Sequence, residues 1–323
     1  MIAAMPPAQS SEMPERGVHV GLGGAVAAGW ELVRPFTLVA PALGVLSGAL
    51  TAYGARPRFV HADASLTRWG IDVAVGAAAA GILNGASNVL NQVYDLPIDR
   101  INKPARALPA GRLSVRSALV LSAVLYVASL AAAATINLAV FAMFALGALA
   151  TVIYSAPPFR TKRFGWWANV TIAIPRGLLL KVAGWSVTKS ILAPEAWLIG
   201  AVFGLFLLGA TTSKDFADVE GDRAHGCRTL PIVYGREKAT RLIHPFFTVP
   251  FLLLAAGAAA GIFTGNRIVL VALGLGCAAW GHAVVRMLQR DPGAQVTENH
   301  PSWRHMYYLM FTLQVGFVVA YLT

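Results

Sequence analysis

Long apolar stretches alternate with short polar segments along nearly the whole chain. A helix needs about 20 apolar residues to cross the hydrocarbon core of a bilayer. Nine stretches reach that length, at roughly residues 24–54, 70–92, 113–135, 137–156, 166–188, 194–213, 243–264, 266–287 and 304–322. The pattern predicts an all-α fold, a multi-pass bundle of nine transmembrane helices.

The sequence contains no marked boundary between domains. No long polar segment, Gly/Ser linker or internal repeat separates the apolar stretches. We therefore expect one transmembrane domain over residues 19–323. Residues 1–18 contain Pro, Ser and Glu and have no basic segment ahead of a short apolar core. We expect them to form a disordered cytoplasmic tail rather than a cleaved signal peptide.

Positive charge is distributed unevenly between the two sides of the predicted bundle. Lys and Arg are concentrated in the loops after the second, fourth, sixth and eighth stretches, and the intervening loops hold few. Such asymmetry places the basic side in the cytoplasm. We expect a protein of the cell inner (plasma) membrane, with its functional site facing the cytoplasm.

Composition supports a lipid bilayer as the environment and argues against nucleic acid as a partner. Of 323 residues, 56% are hydrophobic and 13% are charged, which is typical of an integral membrane protein. The net charge of +11 is divided among short loops rather than gathered on one soluble face. Topology and an anionic substrate explain it better than a nucleic acid does.

Six of the 15 acidic residues lie in two short segments. The first acidic cluster is Asn91, Asp95 and Asp99 in LNQVYDLPIDRINKP, and the second acidic cluster is Asp215, Asp218, Glu220 and Asp222 in SKDFADVEGDRAHG. Both follow even-numbered stretches, so both face the same compartment. Carboxylates are costly in a membrane protein and tend to mark function.

The spacing within each cluster predicts a metal site. Steps of three and four residues place the side chains along one face of a continuing helix. Carboxylate and amide oxygens select hard cations, above all Mg²⁺, which is often shared with phosphate oxygens of a substrate. A solvated helix end is the alternative for either cluster alone. Two clusters at one depth favour metal, because stacked carboxylates repel unless cations intervene.

Basic side chains accompany both clusters. Lys103, Arg106 and Arg112 follow the first cluster, Lys214 lies within the second segment, and YSAPPFRTKR adds Tyr154, Arg160 and Lys162. Arg and Lys neutralise the charge of a diphosphate, which makes these residues candidate substrate ligands. The alternative is an anchoring role at the membrane boundary, and the residue pattern leaves both open.

Three further cations lie inside or at the edge of apolar stretches, namely Arg34, Arg176 and Lys181. Charge facing lipid is costly, so we expect these side chains to face a cavity or the bundle interior. Pro175 and Gly177 predict a break in the fifth helix beside Arg176. For Lys181, an extended side chain reaching the interface is the alternative.

Taken together, NQVYDLPIDRINKPARALPAG, YSAPPFRTK and KDFADVEGDRAHGCRTLPIVYG resemble the UbiA superfamily of intramembrane prenyltransferases. The resemblance covers nearly the whole chain and implies nine spans with aspartate motifs after the second and sixth. It implies that Asn91, Asp95, Asp99, Asp215, Asp218 and Asp222 hold Mg²⁺, with Asp95, Asp99, Asp218 and Asp222 central to catalysis. It also implies that Arg34, Arg160 and Lys162 contact the diphosphate of a polyprenyl diphosphate, beside Tyr154 and Asn169.

The resemblance leaves the acceptor open. Gln92 follows Asn91 as in the homogentisate branch, which favours an aromatic quinone precursor such as homogentisate or a hydroxybenzoate. The segments YSAPP and EGDRA resemble chlorophyll synthase and the archaeal ether-lipid enzymes, such as geranylgeranylglyceryl phosphate prenyltransferase, equally well. A lipid-like acceptor is therefore the alternative.

A membrane transporter is the alternative from another functional class. Transporters use intramembrane charge to bind ions and broken helices to alternate access, with the binding site near the midplane of the bilayer. Here the acidic clusters and their basic loops are predicted to share one face of the membrane, which disfavours transport. A non-catalytic scaffold would bind neither Mg²⁺ nor a polyprenyl diphosphate.

Overall fold

The computed structural model describes residues 21–57, 65–290 and 300–323, in which all regular structure is helical. The predicted tail at residues 1–18 lies outside the described residues. The α-helices are Leu22–Val33, Val39–Gly54, Leu66–Tyr94, Leu96–Asn102, Val115–Ala134, Leu138–Ser155, Trp166–Ala173, Leu180–Thr188, Pro194–Ala210, Thr212–Asp215, Val219–Ala224, Leu230–Ile243, Val249–Ala259, Arg267–Arg290 and Pro301–Leu322.

Nine helical segments in the described ranges are long and apolar enough to cross a membrane, which confirms the predicted all-α fold. They are Pro35–Gly54, Leu66–Tyr94, Val115–Ala134, Leu138–Ser155, Trp166–Thr188, Pro194–Asp215, Leu230–Ala259, Arg267–Arg290 and Pro301–Leu322. We number them as the first to the ninth span. Most of their bounds lie within a few residues of the predicted ones.

The first span departs from the sequence prediction, which treated residues 24–54 as one stretch. The chain breaks at Arg34, whose φ of 57° is left-handed, and a separate helix Leu22–Val33 precedes it. Pro35 explains the break, because a proline disfavours helical geometry in the residue before it. The helix Leu22–Val33 has 12 residues and is too short to span a bilayer.

The seventh span begins earlier than predicted. The helix Leu230–Ile243 comes first, and it contains a non-helical Gly235 with a φ of 73°. A 3₁₀ turn at His244–Phe247 then leads into Val249–Ala259. The polar sequence REKATR hides the first of these helices from a search for apolar stretches.

The fifth span is broken where Pro175 and Gly177 predicted a break. Residues Ile174–Leu179 form a π-helical turn between two α-helices. Proline cannot donate the hydrogen bond that a regular α-helix requires there, and wide turns of this kind are common at functional sites. A Cβ at Gly177 would lie 2.6 Å from Gly204 Cα, so the sixth span approaches closely at this point.

The first span lies at the centre of the packing, against the second, fifth and ninth spans. One apolar core joins the first five spans, with Val45, Val140 and Val182 fully buried. A second core joins the last four spans around Phe206 and Phe251. A cavity lies between the two cores, and one of its ends carries both acidic clusters. We call that end of the bundle the acidic end.

Candidate functional site

The cavity has a volume of about 200 Å³ and brings most of the predicted site residues together. Its wall includes Asn91, Asp95, Asp99, Asp215, Asp218 and Asp222, with Arg34, Lys103, Arg106, Tyr154, Lys162 and Lys214. Glu220, the remaining member of the second cluster, is exposed and lies outside this wall. Two segments more than 100 residues apart in the chain therefore face one space.

The first acidic cluster lies on two helices joined at Asp95, not on the single continuing helix that its spacing predicted. Asp95 has a φ of −91° and a ψ of 4°, between Leu66–Tyr94 and Leu96–Asn102. Backbone bonds nevertheless run from Asp95 N–H to Asn91 O (2.8 Å) and from Asp99 N–H to Asp95 O (2.7 Å). This spacing keeps the side chains on one side, and the Asn91 amide donates a hydrogen bond to Asp95 Oδ2.

The second acidic cluster is also interrupted, contrary to the predicted helix. Thr212–Asp215 and Val219–Ala224 are separate short helices, and Asp218 lies between them with a φ of −105°. The chain turns at this point, and Asp218 and Asp222 both reach the cavity. The steps of three and four residues predicted the shared direction of the side chains but not the break.

Lys162 lies between the two clusters. Its Nζ is 2.5 Å from Asp95 Oδ2 and 3.7 Å from Asp222 Oδ1. Burial alone would raise the pKa of Asp95, but the charges of Lys162 and Arg160 outweigh burial and hold that pKa below its ordinary value. Burial would likewise lower the pKa of Lys162, and the two carboxylates outweigh it and raise that pKa. Lys162 thus forms ion pairs with both clusters.

The pKa of Asp222 shifts in the opposite direction to that of Asp95. Burial raises the pKa of this carboxyl, and the charge of Lys162 offsets only part of the increase. In the described part of the chain, Asp222 Oδ1 is buried and has no hydrogen-bond partner. A buried carboxylate oxygen needs an electropositive neighbour, and the one present is Lys162 Nζ at 3.7 Å, beyond hydrogen-bonding distance.

Arg160 reaches the first cluster from behind the cavity wall. Its Nη2 donates to Tyr94 O (2.7 Å) and to Asp95 Oδ1 (3.2 Å). The residue itself does not line the cavity. The structure therefore places Arg160 against Asp95, outside the lining of the cavity.

The loop after the first cluster folds over the cavity and joins the two clusters. Lys103 Nζ lies 2.9 Å from Asp218 Oδ1, and Arg106 Nη1 lies 3.0 Å from Asp99 Oδ2. Burial raises the pKa of Asp99, and Arg106 offsets only part of that increase. Arg112 points elsewhere, because it binds Glu31 (2.7 Å) outside the cavity wall.

The remaining candidates divide between the cavity and the packing around it. Lys214 Nζ donates to the Tyr154 hydroxyl (2.9 Å), and both residues line the cavity. Asn169 is buried outside it and donates to Leu208 O (2.8 Å) and Thr212 Oγ1 (2.6 Å). Asn169 thus supports the helix that leads into the second cluster, and it lines a smaller neighbouring pocket together with Tyr154, Lys162, Lys214 and Asp215.

Sequence reasoning missed several polar residues that shape the site. Asn102 Oδ1 accepts a hydrogen bond from Gly221 N–H (3.0 Å) and so ties the clusters together. Asn84 and Asn88 line the cavity and both donate to Thr37 Oγ1. Two asparagines four residues apart in an apolar span lie on one face of the helix, and this spacing could have indicated a polar face toward the cavity.

Gln92, which served as a clue to the acceptor, has a packing role. Its Nε2 donates to Leu32 O (2.7 Å) and Asn88 O (3.0 Å). These bonds fasten the second span to the helix Leu22–Val33. The side chain also lines the cavity, although its amide hydrogens are already engaged in these bonds.

The donor set of the acidic end fits a hard cation, although its carboxylates are not closed around one point. In the described ranges, no group of three or more His, Cys, Asp or Glu side chains is arranged to hold a metal ion. Lys103, Arg106 and Lys162 draw individual carboxylates toward themselves. The oxygen-only chemistry suits Mg²⁺, and Asp222 Oδ1, which has no hydrogen bond and only Lys162 Nζ at 3.7 Å, is a fitting ligand for a cation.

Fold and cavity together define a multi-pass membrane protein with an acidic, lysine- and arginine-lined site at one end of a helical bundle. The model of the UbiA prenyltransferase family matches residues 42–299. The chain belongs to this family, which confirms the resemblance stated from the motifs.

Curated relatives carry different activities in their names. The chain is 33% identical over 214 residues to the bacteriochlorophyll synthase 34 kDa chain of Chloroflexus aurantiacus, covering 66% of each chain. It is 34% identical over 216 residues to a probable homogentisate phytyltransferase 2 of Oryza sativa, covering 64% of this chain and 55% of that one. A digeranylgeranylglyceryl phosphate synthase of Methanothrix thermoacetophila is 29% identical, covering 69% and 77%. The matched part therefore spans about two thirds or less of the first two relatives.

Solved structures share the fold at low sequence identity. A UbiA homologue of Archaeoglobus fulgidus bound to GPP and Mg²⁺ superposes with a TM-score of 0.71, at 20% identity, covering 91% of this chain and 99% of that one. A UbiA homologue of Aeropyrum pernix gives 0.70 at 22% identity, covering 88% and 98%. These likenesses establish the architecture of the bundle.

Proposed function

We propose that this protein is an Mg²⁺-dependent prenyltransferase that moves a polyprenyl group from an isoprenoid diphosphate to an acceptor. The observation that carries the proposal is that one cavity is lined by both acidic clusters and by four basic side chains, those of Lys103, Arg106, Lys162 and Lys214. The carboxylates and basic side chains at the acidic end suit a metal-bound diphosphate. The apolar interior of the cavity suits an isoprenoid tail. Family membership supports the same reaction class.

We assign the metal to the oxygen atoms of Asn91, Asp95, Asp99, Asp215, Asp218 and Asp222. The buried Asp222 Oδ1 supports this assignment, since it has no hydrogen bond and its ion pair with Lys162 is long, at 3.7 Å. When bound, Mg²⁺ would supply positive charge that offsets the charge growing on the departing diphosphate. Asp95, Asp99, Asp218 and Asp222 are the proposed catalytic carboxylates.

The chain's own cations would bind and orient the diphosphate. Lys103, Arg106 and Lys162 now pair with the carboxylates, and all three line the cavity. When the carboxylates turn to a cation, these side chains become available to donate to phosphate oxygens. Arg34, at the left-handed turn above the first span, lines the same space and is assigned to the diphosphate too.

The interior of the cavity would protect the allylic group once its C–O bond breaks. Phe203, Leu207 and Met310 contribute apolar wall that excludes water. The ring of Tyr154 can stabilise an allylic cation through its π face, by roughly 0.5–2 kcal/mol. The acceptor then attacks the carbon from which diphosphate departs, and the proton lost from the attacking carbon or oxygen passes to the departing diphosphate.

We assign an aromatic quinone precursor, such as homogentisate or a hydroxybenzoate, as the acceptor. The support is the rice relative named as a homogentisate phytyltransferase. A chlorophyll synthase-like or ether-lipid activity is the alternative, supported by the Chloroflexus and Methanothrix relatives. In the cell we propose a single domain over residues 19–323 in the inner membrane, with the acidic end facing the cytoplasm.

Purified protein tests this function directly. Labelled geranylgeranyl diphosphate is supplied with an acceptor panel, with Mg²⁺ or with EDTA, and the product is identified by mass spectrometry. We expect Asp95→Asn and Asp218→Asn to lower transfer by about 100-fold or more, because each removes a charged ligand of the site. Asp72→Asn is the matched control, since Asp72 pairs with Arg68 away from the cavity.

Two results would contradict the proposal. One is undiminished transfer by both cluster variants. The other is a wild-type protein that transfers nothing and binds no polyprenyl diphosphate in the presence of Mg²⁺. Solute movement across liposome membranes without transfer would instead indicate a transporter.

A further inference from the structure

Basic side chains within the spans lie in two places. Arg34, Arg176 and Lys181 line the central cavity, as expected from their positions in apolar stretches. His244 of the seventh span and Arg286 of the eighth lie outside that cavity. Ionisable side chains on the outer surface of a span are costly in lipid and tend to mark function. This outer group is not used in the proposed transfer of a prenyl group.

His244 and His282 form a pair across the contact between the seventh and eighth spans. His244 Nε2 lies 2.9 Å from His282 Nδ1, and the ring centroids are 4.9 Å apart. This hydrogen bond uses one nitrogen atom of each ring. The other two, His244 Nδ1 and His282 Nε2, have no hydrogen-bond partner among the described residues. The pair therefore has ring nitrogen atoms available for a ligand.

Backbone packing fixes the position of the histidine pair. A Cβ at Gly281 would lie 1.8 Å from Phe247 O, so the eighth span approaches the seventh as closely as only glycine allows. His282 follows Gly281 directly, and His244 begins the 3₁₀ turn that ends at Phe247. The two rings thus extend from the point of closest contact between the spans.

Arg286 adds a charged donor beside the pair. It is exposed one helical turn after His282, and it lies close enough to act electrostatically on His244. Arg286 forms no ion pair with any residue that the structure describes. Arg241, also near His244 in sequence, instead pairs with Glu237 at 2.5 Å. We call His244, His282 and Arg286 the outer basic cluster.

The outer basic cluster lies near the depth of the lipid headgroups, on the side of the acidic end. The helix Leu230–Ile243, which contacts the helices of the second acidic cluster, leads directly into His244. The eighth span is about 36 Å long, whereas the hydrocarbon core of a bilayer is about 30 Å thick. Arg286 is about 6 Å and His282 about 12 Å from its end at Arg290. A long arginine side chain at this depth can reach the phosphate layer.

Toward the middle of the bilayer, the exposed side chains of both spans are apolar. Val249 and Leu252 are exposed on the seventh span, and Leu275 is exposed on the eighth. Leu275 is seven residues before His282 and so lies on the same face of the helix. A surface that is basic at the headgroups and apolar below them matches the polarity of an anionic phospholipid.

We propose that the outer basic cluster binds the phosphate group of an anionic phospholipid, with the acyl chains on the apolar surface below. When His244 Nε2–H donates to His282 Nδ1, His282 Nε2 carries a hydrogen and donates to a phosphate oxygen. The guanidinium of Arg286 donates to a second oxygen and supplies positive charge. Basic sites between spans bind anionic headgroups in this way. The positive charge of a choline headgroup would instead repel the cluster.

Two lipids with identical acyl chains test the site in the full-length protein. Purified protein in a neutral detergent is titrated with dioleoyl phosphatidylglycerol or dioleoyl phosphatidylcholine, and thermal unfolding is followed. We expect only phosphatidylglycerol to raise the unfolding temperature in a saturable manner. In the double variant His282→Ala with Arg286→Gln, its half-saturating concentration should rise about tenfold or more. Arg267→Gln, which removes an exposed arginine at the other end of the same helix, should behave as the wild type.

Three further ligands identify the source of the phosphate. Inorganic phosphate, geranylgeranyl diphosphate in EDTA and Ni²⁺ are each titrated in place of the lipid. An effect of either phosphate compound that equals that of phosphatidylglycerol and is lost in the double variant would overturn a phospholipid site. Stabilisation by Ni²⁺ without any effect of phosphatidylglycerol would indicate a metal site and overturn it too. Equal stabilisation by the two lipids would do the same.

A second measurement covers the case in which the double variant does not fold. Wild type and Arg286→Gln alone, a change at an exposed position, are extracted from vesicles containing equal amounts of the two lipids. Bound lipid is then counted by native mass spectrometry. Retention of phosphatidylglycerol in preference to phosphatidylcholine, lowered in Arg286→Gln, supports the site. Equal retention of the lipids, or a preference that the variant leaves unchanged, overturns it. Neither reading depends on turnover, so absent prenyl transfer would count against the proposed function alone.

Discussion

Asn102 Oδ1 accepts a hydrogen bond of 3.0 Å from the backbone N–H of Gly221, across 119 residues of sequence. Asn102 ends the helix of the first acidic cluster, and Gly221 lies in the helix of the second. The neighbouring ion pair between Lys103 and Asp218 reinforces the contact. The two clusters are thereby held as one unit at the acidic end.

Replacing Gly221 should separate the clusters. A Cβ at this position would lie 2.6 Å from the Asn102 side-chain nitrogen and oxygen, closer than real contacts allow. We expect Gly221→Ala to lower the free energy of unfolding by about 1–3 kcal/mol and to weaken Mg²⁺-dependent donor binding. Thermal unfolding and donor titration measure the two effects.

A double-mutant cycle tests whether Asn102 is the cause. In an Asn102→Ala background the clash is relieved, so Gly221→Ala should cost less than it does in the wild type. Gly276→Ala is a control, because no atom lies within 4 Å of the added Cβ. Equal costs for Gly221→Ala in the two backgrounds would contradict the explanation.

Apolar periodicity was sufficient to predict the spans, because a bilayer imposes length and hydropathy on every crossing helix. It could not predict the break at Arg34, where a polar residue followed by Pro35 interrupts an otherwise apolar stretch. It also missed the helix Leu230–Ile243, whose segment REKATR is polar enough to interrupt an apolar stretch. Helix breaks and polar helices depend on local backbone geometry, which hydropathy alone does not predict.

The candidate site was predictable in its composition but not in its pairings. The motifs supplied both clusters and the lysines that line the cavity. They did not distinguish Lys162, which lies between the clusters, from Arg160, which approaches Asp95 from outside the cavity. Nor did they show that Asn169 donates hydrogen bonds to Leu208 O and Thr212 Oγ1 and lies outside the main cavity. Such roles depend on contacts between segments distant in sequence.

Lys162→Met should destabilise the metal-free protein at neutral pH. The variant leaves Asp95 and Asp222 buried without their shared cation, which costs about 3–5 kcal/mol for a buried pair. In the wild type the pKa of Asp95 is lowered, so its contribution is present above the unfolded-state pKa and disappears as pH falls through the folded-state value. The difference between variant and wild type should therefore shrink below about pH 4.

Unfolding curves in EDTA between about pH 7 and pH 3 measure that difference. Lys238→Met is a control, because Lys238 lies outside the cavity. A difference that does not change with pH would show that Lys162 acts through packing rather than through charge.

Protons should compete with Mg²⁺ for the acidic end. Burial raises the pKa of Asp99 and Asp222, so these groups take up protons at a higher pH than ordinary aspartates. Metal ligands must be deprotonated, and binding then releases protons. We expect the half-saturating Mg²⁺ concentration to rise as pH falls from about 7.5 to 5.5. Transfer assays at fixed donor concentration measure it, and a constant value would show that neither carboxyl binds the metal.

Glu31 should control the loop that covers the cavity. Its Oε1 accepts hydrogen bonds from Ala107 N–H and Arg112 Nη2, each 2.9 Å long, and so anchors the loop to the helix Leu22–Val33. The adjacent Arg106 is held 3.0 Å from Asp99. Glu31→Ala removes the anchor, and we expect the donor KM to rise about three- to tenfold with little change in kcat.

Glu31→Gln separates the backbone hydrogen bond from the charge. It keeps an acceptor for Ala107 N–H and loses only the ion pair with Arg112, which is partly exposed and contributes about 1 kcal/mol or less. Its donor KM should therefore lie near that of the wild type. Glu237→Ala, which breaks an exposed pair with Arg241, should have no effect. A glutamine variant as impaired as the alanine variant would show that charge on Glu31, rather than its hold on the Ala107 backbone, positions the loop.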